Sequence, residues 1–307
     1  MNRPLRFRSD GSFTLVQLTD THFEDGCEED RRTQALMSLV LDLEKPDLVL
    51  LTGDVLGGSG ARDAETAWQL ATAPLVERNL PWAAIFGNHD DECGVPRRQL
   101  LAIQQGLPGC LTRSGPERVS GVGNFLLRIR RAKGRQTGFA LGCLDSNSYA
   151  ETEIGGHGWV REDQIRWFRQ ALRGLSTPSA PLPPPVLIFV HIPLPEYDEV
   201  WRLGLCRGEK NEEVCGPRIN TGLFAAMHLA GNVAGVFAGH DHLNDYEGSL
   251  HGIRLCYGRA TGYNTYGRSD FRRGARIVRL VEGEPGFSTW IRLDDGSRID
   301  YSPRSGG

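Results

Sequence analysis

No apolar run in these 307 residues reaches the roughly 20 residues that a bilayer-spanning helix needs, and no apolar leader precedes the first strand-like segment. The expectation is a cytoplasmic chain with no membrane partner. Cysteine is scarce and poorly spaced for bonding: seven residues, an odd number, with no C-x-x-C pair. That argues against a disulfide framework and against a structural zinc site. Cys143 and Cys256 sit inside apolar runs and read as small core residues, while Cys206 and Cys215 flank a polar loop and are expected to stay reduced. An excess of one charge is missing as well, with 35 Lys and Arg against 38 Asp and Glu for a net charge of −3. No electrostatic case exists for nucleic-acid or acidic-membrane binding. The arginine-rich stretch 128–135 reads as the solvated strand ends of a hairpin, and no internal repeat is present.

What the chain does have is a series of short apolar runs, each closed by a polar motif. Residues 13–19 run into Asp20-Thr21-His22, residues 47–52 into Gly53-Asp54, and residues 82–86 into Gly87-Asn88-His89-Asp90. Residues 186–190 run into His191, and residues 233–238 into Gly239-His240-Asp241-His242. Such runs, rich in Val, Ile, Leu or Phe and closed by Gly or a polar residue, are the pattern of strands buried on both faces. Ligands of open α/β sheets gather in the crevice at the carboxyl ends of the strands, so five strands are expected to deliver their last residues to one crevice. Counting Asp20 and Asp54 of their four aspartates, the motifs supply two carboxylates, one amide and five imidazoles. Those donor types hold two hard-to-borderline divalent metals for water activation. Singly, each motif is more often a turn, a helix cap or a core histidine; shared order and context make the set specific.

Between the strands lie segments of helical spacing: residues 29–44, with Leu36, Leu39, Val40 and Leu43 on one face, then 62–78, 96–105, 159–172 and 221–230. Residues 124–130 and 137–144 read as a hairpin, and 250–257, 275–280 and 287–293 as closing strands. The Pro-rich stretch 176–185 is expected as a surface loop too short to separate domains. Residues 193–220 are expected as a long, polar, loop-like excursion of the kind that carries substrate contacts. Alternating strands and helices with a β-rich end fit an α/β sandwich. Motifs converging on one site from residue 20 to residue 242 argue for a single domain over 1–307.

The ordered set D-x-H, G-D, G-N-H-D, H and G-H-x-H resembles the calcineurin-like metallophosphoesterase superfamily from Asp20 to His242. A looser resemblance is to the purple-acid-phosphatase-like branch lacking the extra N-terminal domain. It rests on Leu144-Asp145-Ser146, Gly158-Trp159-Val160, His191-Ile192-Pro193-Leu194-Pro195-Glu196-Tyr197, and Thr261-Gly262-Tyr263 with Tyr266-Gly267. The resemblance implies a four-layer α/β/β/α sandwich of two mixed β-sheets flanked by helices. It further implies two divalent ions, Mn, Fe or Zn, bridged by Asp54. Asp20, His22 and His242 would complete one shell, and Asn88, His191 and His240 the other. Ions about 3.5–4 Å apart can clamp attacking and leaving oxygens, and coordination brings the pKa of water to about 7. The implied activity is hydrolysis of small phosphate mono- or diesters by a metal-bridging hydroxide. Cyclic-nucleotide and nucleotide phosphodiesterases use the same motif set, so that alternative stays open. A non-catalytic scaffold is the third reading, disfavoured because all seven ligands and His89 are retained.

His89 follows Asn88 and is read as the catalytic residue that protonates the leaving oxygen or stabilises phosphoryl charge. Three residues after Asp54, purple acid phosphatases carry an iron-ligating tyrosine and Ser/Thr protein phosphatases an aspartate; this chain has Gly57. A ferric–tyrosinate centre is therefore not expected, and the partner that orients His89 is unassigned, with Asp90 and Asp91 as candidates. His157, in a glycine-rich loop, could border the site, whereas His228 and His251 read as surface residues. Asp145, Ser146 and Asn147 fit either the crevice or a plain loop. Tyr263, Tyr266, Arg268 and Arg272 are substrate contacts by resemblance or a solvated cluster otherwise.

Overall fold

The computed structural model describes residues 4–176 and 182–301, so the middle of the Pro-rich stretch lies outside the described residues. In chain order the first strands are β1 (Ser12–Leu18), β2 (Leu48–Thr52), β3 (Trp82–Ile85), β4 (Phe125–Arg130), β5 (Thr137–Cys143) and β6 (Val186–Phe189). They are followed by β7 (Cys206–Arg207), β8 (Val233–Ala238), β9 (Glu247–Leu250) and β10 (Ile253–Tyr257). The last three are β11 (Gly274–Val281), β12 (Ser288–Leu293) and β13 (Arg298–Ile299). The helices are α1 (Glu28–Glu44), α2 (Ala64–Glu77), α3 (Arg97–Gly106), α4 (Glu162–Arg173), α5 (Glu196–Arg202) and α6 (Leu223–Ala230).

Two mixed sheets face each other. One has the order β13-β12-β11-β1-β2-β3 and the other β4-β5-β6-β8-β10-β9-β7. Alternation along each strand builds the layers. Phe13 and Leu15 of β1, with Leu48 and Leu50 of β2, meet Leu141, Phe189 and Phe237 of the second sheet in a central core. Val16, Leu18, Val49 and Leu51 point the other way, onto Met37, Val40 and Trp68 of α1 and α2. The second sheet's outer face packs on Phe168, Val200 and Met227 of α4, α5 and α6. The result is the α/β/β/α sandwich that the resemblance implies. Local signals place the helix ends: Asp63 caps α2 by accepting from the Glu65 and Thr66 amides, and α1 stops at Lys45, left-handed at φ 45°, before Pro46. Among the described residues no helix is long and apolar enough to cross a membrane.

The five motif strands are divided between the sheets. β1, β2 and β3 run parallel in one, β6 and β8 parallel in the other, and the crevice lies where both sets of carboxyl ends meet. Two expectations need correction. The excursion 193–220 is not all loop, because it holds α5. Tyr197 and Val200, three apart, bury one face there, and Glu196, Asp198 and Glu199 suit the first turn; one helical turn of apolar residues is too short to stand out by periodicity. Residues 250–257 are not one strand but the end of β9 and all of β10. His251 (φ 47°) and Gly252 (φ 84°) form the two-residue left-handed turn between them.

Phe168, fully buried among Ile165, Leu172, Val186 and Ile188, anchors α4. Phe168→Ala is expected to cost about 3–5 kcal/mol, seen as a lower urea midpoint at unchanged slope.

Candidate metal centre

Tight turns at the strand ends aim the donors. Asp20 (φ 53°), His22 (φ 47°), Asp54 (φ 48°) and His240 (φ 75°) all adopt the left-handed backbone that non-glycine residues avoid. Two glycines make room: a Cβ on Gly53 would overlap the His191 ring, and one on Gly87 the Asp54 carboxylate. The buried Asp90 carboxylate fastens these turns together. It accepts from the amides of Gly87 (2.7 Å), Asp54 (3.1 Å), Val55 (2.9 Å) and Leu56 (2.9 Å). Asp90 is therefore a clamp on the backbone around Asp54 and not the partner of His89.

The seven expected donors fall into two adjoining groups. Asp20, His22 and His242 offer ligand atoms within 4.8 Å of one another, and so do Asp54, His191 and His240. Asp54 Oδ2 stands between them, 3.1 Å from His191 Nε2 and 3.9 Å from His22 Nε2. Asn88 Oδ1 joins the second group, 3.2 Å from His191 Nε2. His191 Nδ1 donates to the Thr52 carbonyl at 2.9 Å, which fixes the ring and turns Nε2 to the crevice. Thr265 Oγ1, 2.8 Å from His242 Nδ1, does the same for His242.

The residues fit divalent cations. His22 Nε2, Asp54 Oδ2 and His240 Nε2 are buried and make no hydrogen bond, a costly condition for polar atoms unless something else binds them. Burial holds the His22 ring down to about 4, and burial with His191 nearby pushes His240 well below the usual range, so both rings are neutral lone-pair donors at pH 7. Burial alone would raise the carboxyls, yet His242 brings Asp20 to about 2, and His191 and His22 hold Asp54 well below the carboxylate range. Burial also opposes charge on His191, but Asp54 lifts that ring to about 9. The pocket thus calls for positive charge beside Asp54, from protons or from metal ions.

His89 stands beside this cluster, its ring centroid 5.6 Å from that of His22. Its Nδ1 lies 2.7 Å from Glu92 Oε2, and the Tyr149 hydroxyl donates to Glu92 Oε1 at 2.7 Å while accepting from Asn88 Nδ2 at 3.2 Å. Burial disfavours charge on His89, and Asp54 and Glu92 overcome it, so its pKa is raised. Neither Glu92 nor Tyr149 is visible as a functional residue in the sequence; the only signal is that Glu92 follows His89 by three residues in a turn of acids. Arg97 is a third omission. With 9% of its side chain exposed, it binds Asp145 (2.6 Å), the Gly87 carbonyl and Ser148, and so holds the loop that carries Asn88 and His89.

The remaining candidates separate cleanly. Tyr266 stacks on His242 at 4.2 Å and reaches Glu212 with its hydroxyl, at the rim of the crevice. Tyr263 packs on the core beneath α1 and bonds Asp294, while Arg268 pairs with Asp270 and Arg272 with Asp294 on the surface. Asp145 and Asn147 brace loops, and Ser146 accepts from the Ile192 amide behind His191. His228 and His251 are exposed, Cys143 and Cys256 are buried, and none of the seven cysteines, all among the described residues, is in a disulfide.

Known proteins resemble this chain in sequence and in fold. The profile of the calcineurin-like phosphoesterases matches residues 13–244. Over 336 aligned residues the chain is 33% identical to "probable inactive purple acid phosphatase 14" of Arabidopsis thaliana, covering 95% of this chain and 83% of that protein. It is 32% identical to phosphatase DCR2 of Saccharomyces cerevisiae, covering 94% of this chain and 55% of the yeast protein. In fold it is similar to a dimetal phosphatase from Danio rerio, at TM-score 0.63 and 16% identity, covering 94% of this chain and 99% of that one.

Proposed function

Because the chain belongs to the calcineurin-like phosphoesterase family, we propose that it is a dinuclear-metal-dependent phosphoesterase acting on small phosphate mono- or diesters. The observation that carries this reading is the convergence of buried acceptors that make no hydrogen bond, His22 Nε2, Asp54 Oδ2 and His240 Nε2, with Asp20, Asn88, His191 and His242 around them. Asp20, His22 and His242 would hold one ion, Asn88, His191 and His240 the other, with Asp54 shared. Bound there, two divalent ions supply Lewis acidity, lowering the pKa of water and steadying charge on the phosphoryl oxygens. Mixed carboxylate, amide and imidazole donors suit Mn, Fe or Zn.

The chain's own residues do the rest. Glu92 accepts from His89 Nδ1–H, which orients the ring and, with Asp54, favours its imidazolium form, whose Nε2–H can be given to the leaving oxygen. Tyr149 keeps Glu92 in place and links it to the Asn88 amide. The donors come from the strand ends of both sheets, so the two sheets would act as one catalytic unit. The Arabidopsis relatives are named inactive and the yeast relative is named a phosphatase. A complete donor set beside an oriented His89 supports the active reading for this chain.

Hydrolysis of p-nitrophenyl phosphate and bis-p-nitrophenyl phosphate, side by side with Mn²⁺ and with chelator, tests it. Turnover that disappears with chelator and returns with metal is expected, and the faster ester separates phosphatase from phosphodiesterase. Turnover indifferent to chelator, or purified protein that takes up no metal, would sink the proposal.

A further inference from the structure

One histidine beside the centre has no place among the donors. His157 packs edge-on against His240 with ring centroids 4.2 Å apart and lies 5.8 Å from the Tyr149 ring. His89 thus flanks the group of His22, and His157 flanks the group of His240. The loop that carries His157 is built and fastened. Gly155 (φ 66°) and Gly156 (φ 78°) supply two consecutive left-handed residues before it. Ala150 N donates to Gly156 O at 3.0 Å and Gly158 N to Ser148 O at 3.0 Å. Arg218 Nη1 grips the Ile154 carbonyl at 2.6 Å, tying the loop to the excursion after α5. On this held ring Nδ1 is buried and has no hydrogen-bond partner. An unmet donor or acceptor on a fixed side chain is a standing penalty that a bound polar group removes.

Resting on the phosphoesterase reading, we infer that His157 is a second substrate-contacting residue, which hydrogen-bonds a non-leaving oxygen of the phosphoryl group from the His240 side of the crevice. A buttress for the His240 ring would need only the shape of His157, and a third cation site would need more than is present. Although His157, Cys215 and His240 offer atoms within 4.8 Å of one another, His240 already belongs to the second donor group. Cys215 is exposed, with its backbone amide turned to Asp241.

The test compares metal-loaded wild type with His157→Phe, which keeps a ring against His240 but removes both nitrogens, and with His157→Gln, which restores a donor. Metal content, kcat/KM on p-nitrophenyl phosphate and the affinity for inorganic phosphate by calorimetry are read for each. His157→Phe is expected to keep both ions, lose about 10- to 100-fold in kcat/KM and weaken phosphate by a similar factor, the worth of one hydrogen bond to a charged group. His157→Gln is expected to recover part of both. Unchanged phosphate affinity and turnover in His157→Phe would overturn the inference in favour of a packing role, and loss of an ion would overturn it in favour of a ligand. If the wild type binds metal but hydrolyses neither ester, the phosphoesterase reading fails while phosphate affinity still decides for or against His157.

Discussion

Asp54→Asn is expected to abolish turnover and to drop metal content below two ions per chain while the protein stays folded. The reason is that neither orientation of the new amide suits the site. With its NH₂ in place of Oδ2, a donor faces the crevice where His191 Nε2 (3.1 Å) and His22 Nε2 (3.9 Å) and a cation would meet it. Flipped, the NH₂ confronts the His89 amide, which now donates to Asp54 Oδ1 at 2.8 Å. The backbone gives no relief and no penalty, because asparagine tolerates the left-handed φ of 48° as well as aspartate does. Even outer partners of a metal ligand cost about 10–100-fold in affinity or activity, so losing the shared carboxylate should exceed that. Metal analysis, a melting curve and turnover on the same preparation check it. Full activity with two ions bound would remove Asp54 from the bridging place.

His89→Ala should behave differently: both ions retained, kcat lower by about 10²–10⁴-fold, the usual worth of a positioned proton donor. The leaving group distinguishes its role. A nitrophenolate departs readily without a proton, whereas an alkoxide does not, so the defect should be larger on an alkyl phosphate than on p-nitrophenyl phosphate. An equal defect on both would assign His89 to charge stabilisation. Glu92→Gln should reproduce a milder form of the same pattern, since the ring at 2.7 Å would keep a hydrogen bond but lose the carboxylate. A wild-type rate in Glu92→Gln would show that the contact orients nothing of consequence.

The donors are readable in the sequence because each stands where an apolar run ends, and a strand end is where an α/β fold collects ligands. Asp90 and Glu92 show the limit of that reading. Asp90, Asp91 and Glu92 are three consecutive acids, and their tasks differ only through the 3₁₀ turn that follows His89. That turn sends Asp90 inward to four backbone amides and brings Glu92 around to the ring. Tyr149 and Arg97 join the site from 61 and 10 residues away in sequence, to Asn88 and to the Gly87 carbonyl, and no periodicity announces such contacts. The α/β class followed from the alternation of elements and the four layers from resemblance; the division of the motif strands between two sheets followed from neither, because a buried run reads alike in either sheet.

The left-handed turns have a consequence for how such a chain can change over generations. Asp20, His22, Asp54 and His240 are four of the eight non-glycine residues with positive φ among the described residues, and each such placement costs of order 1–3 kcal/mol. At His22 and His240, whose buried Nε2 atoms also make no hydrogen bond, glycine would relieve that strain and remove an unmet polar atom. Selection for folding alone therefore pulls against these two histidines. A lineage released from catalysis has a thermodynamic slope to descend, and the residues it would shed first are the ones this chain still carries.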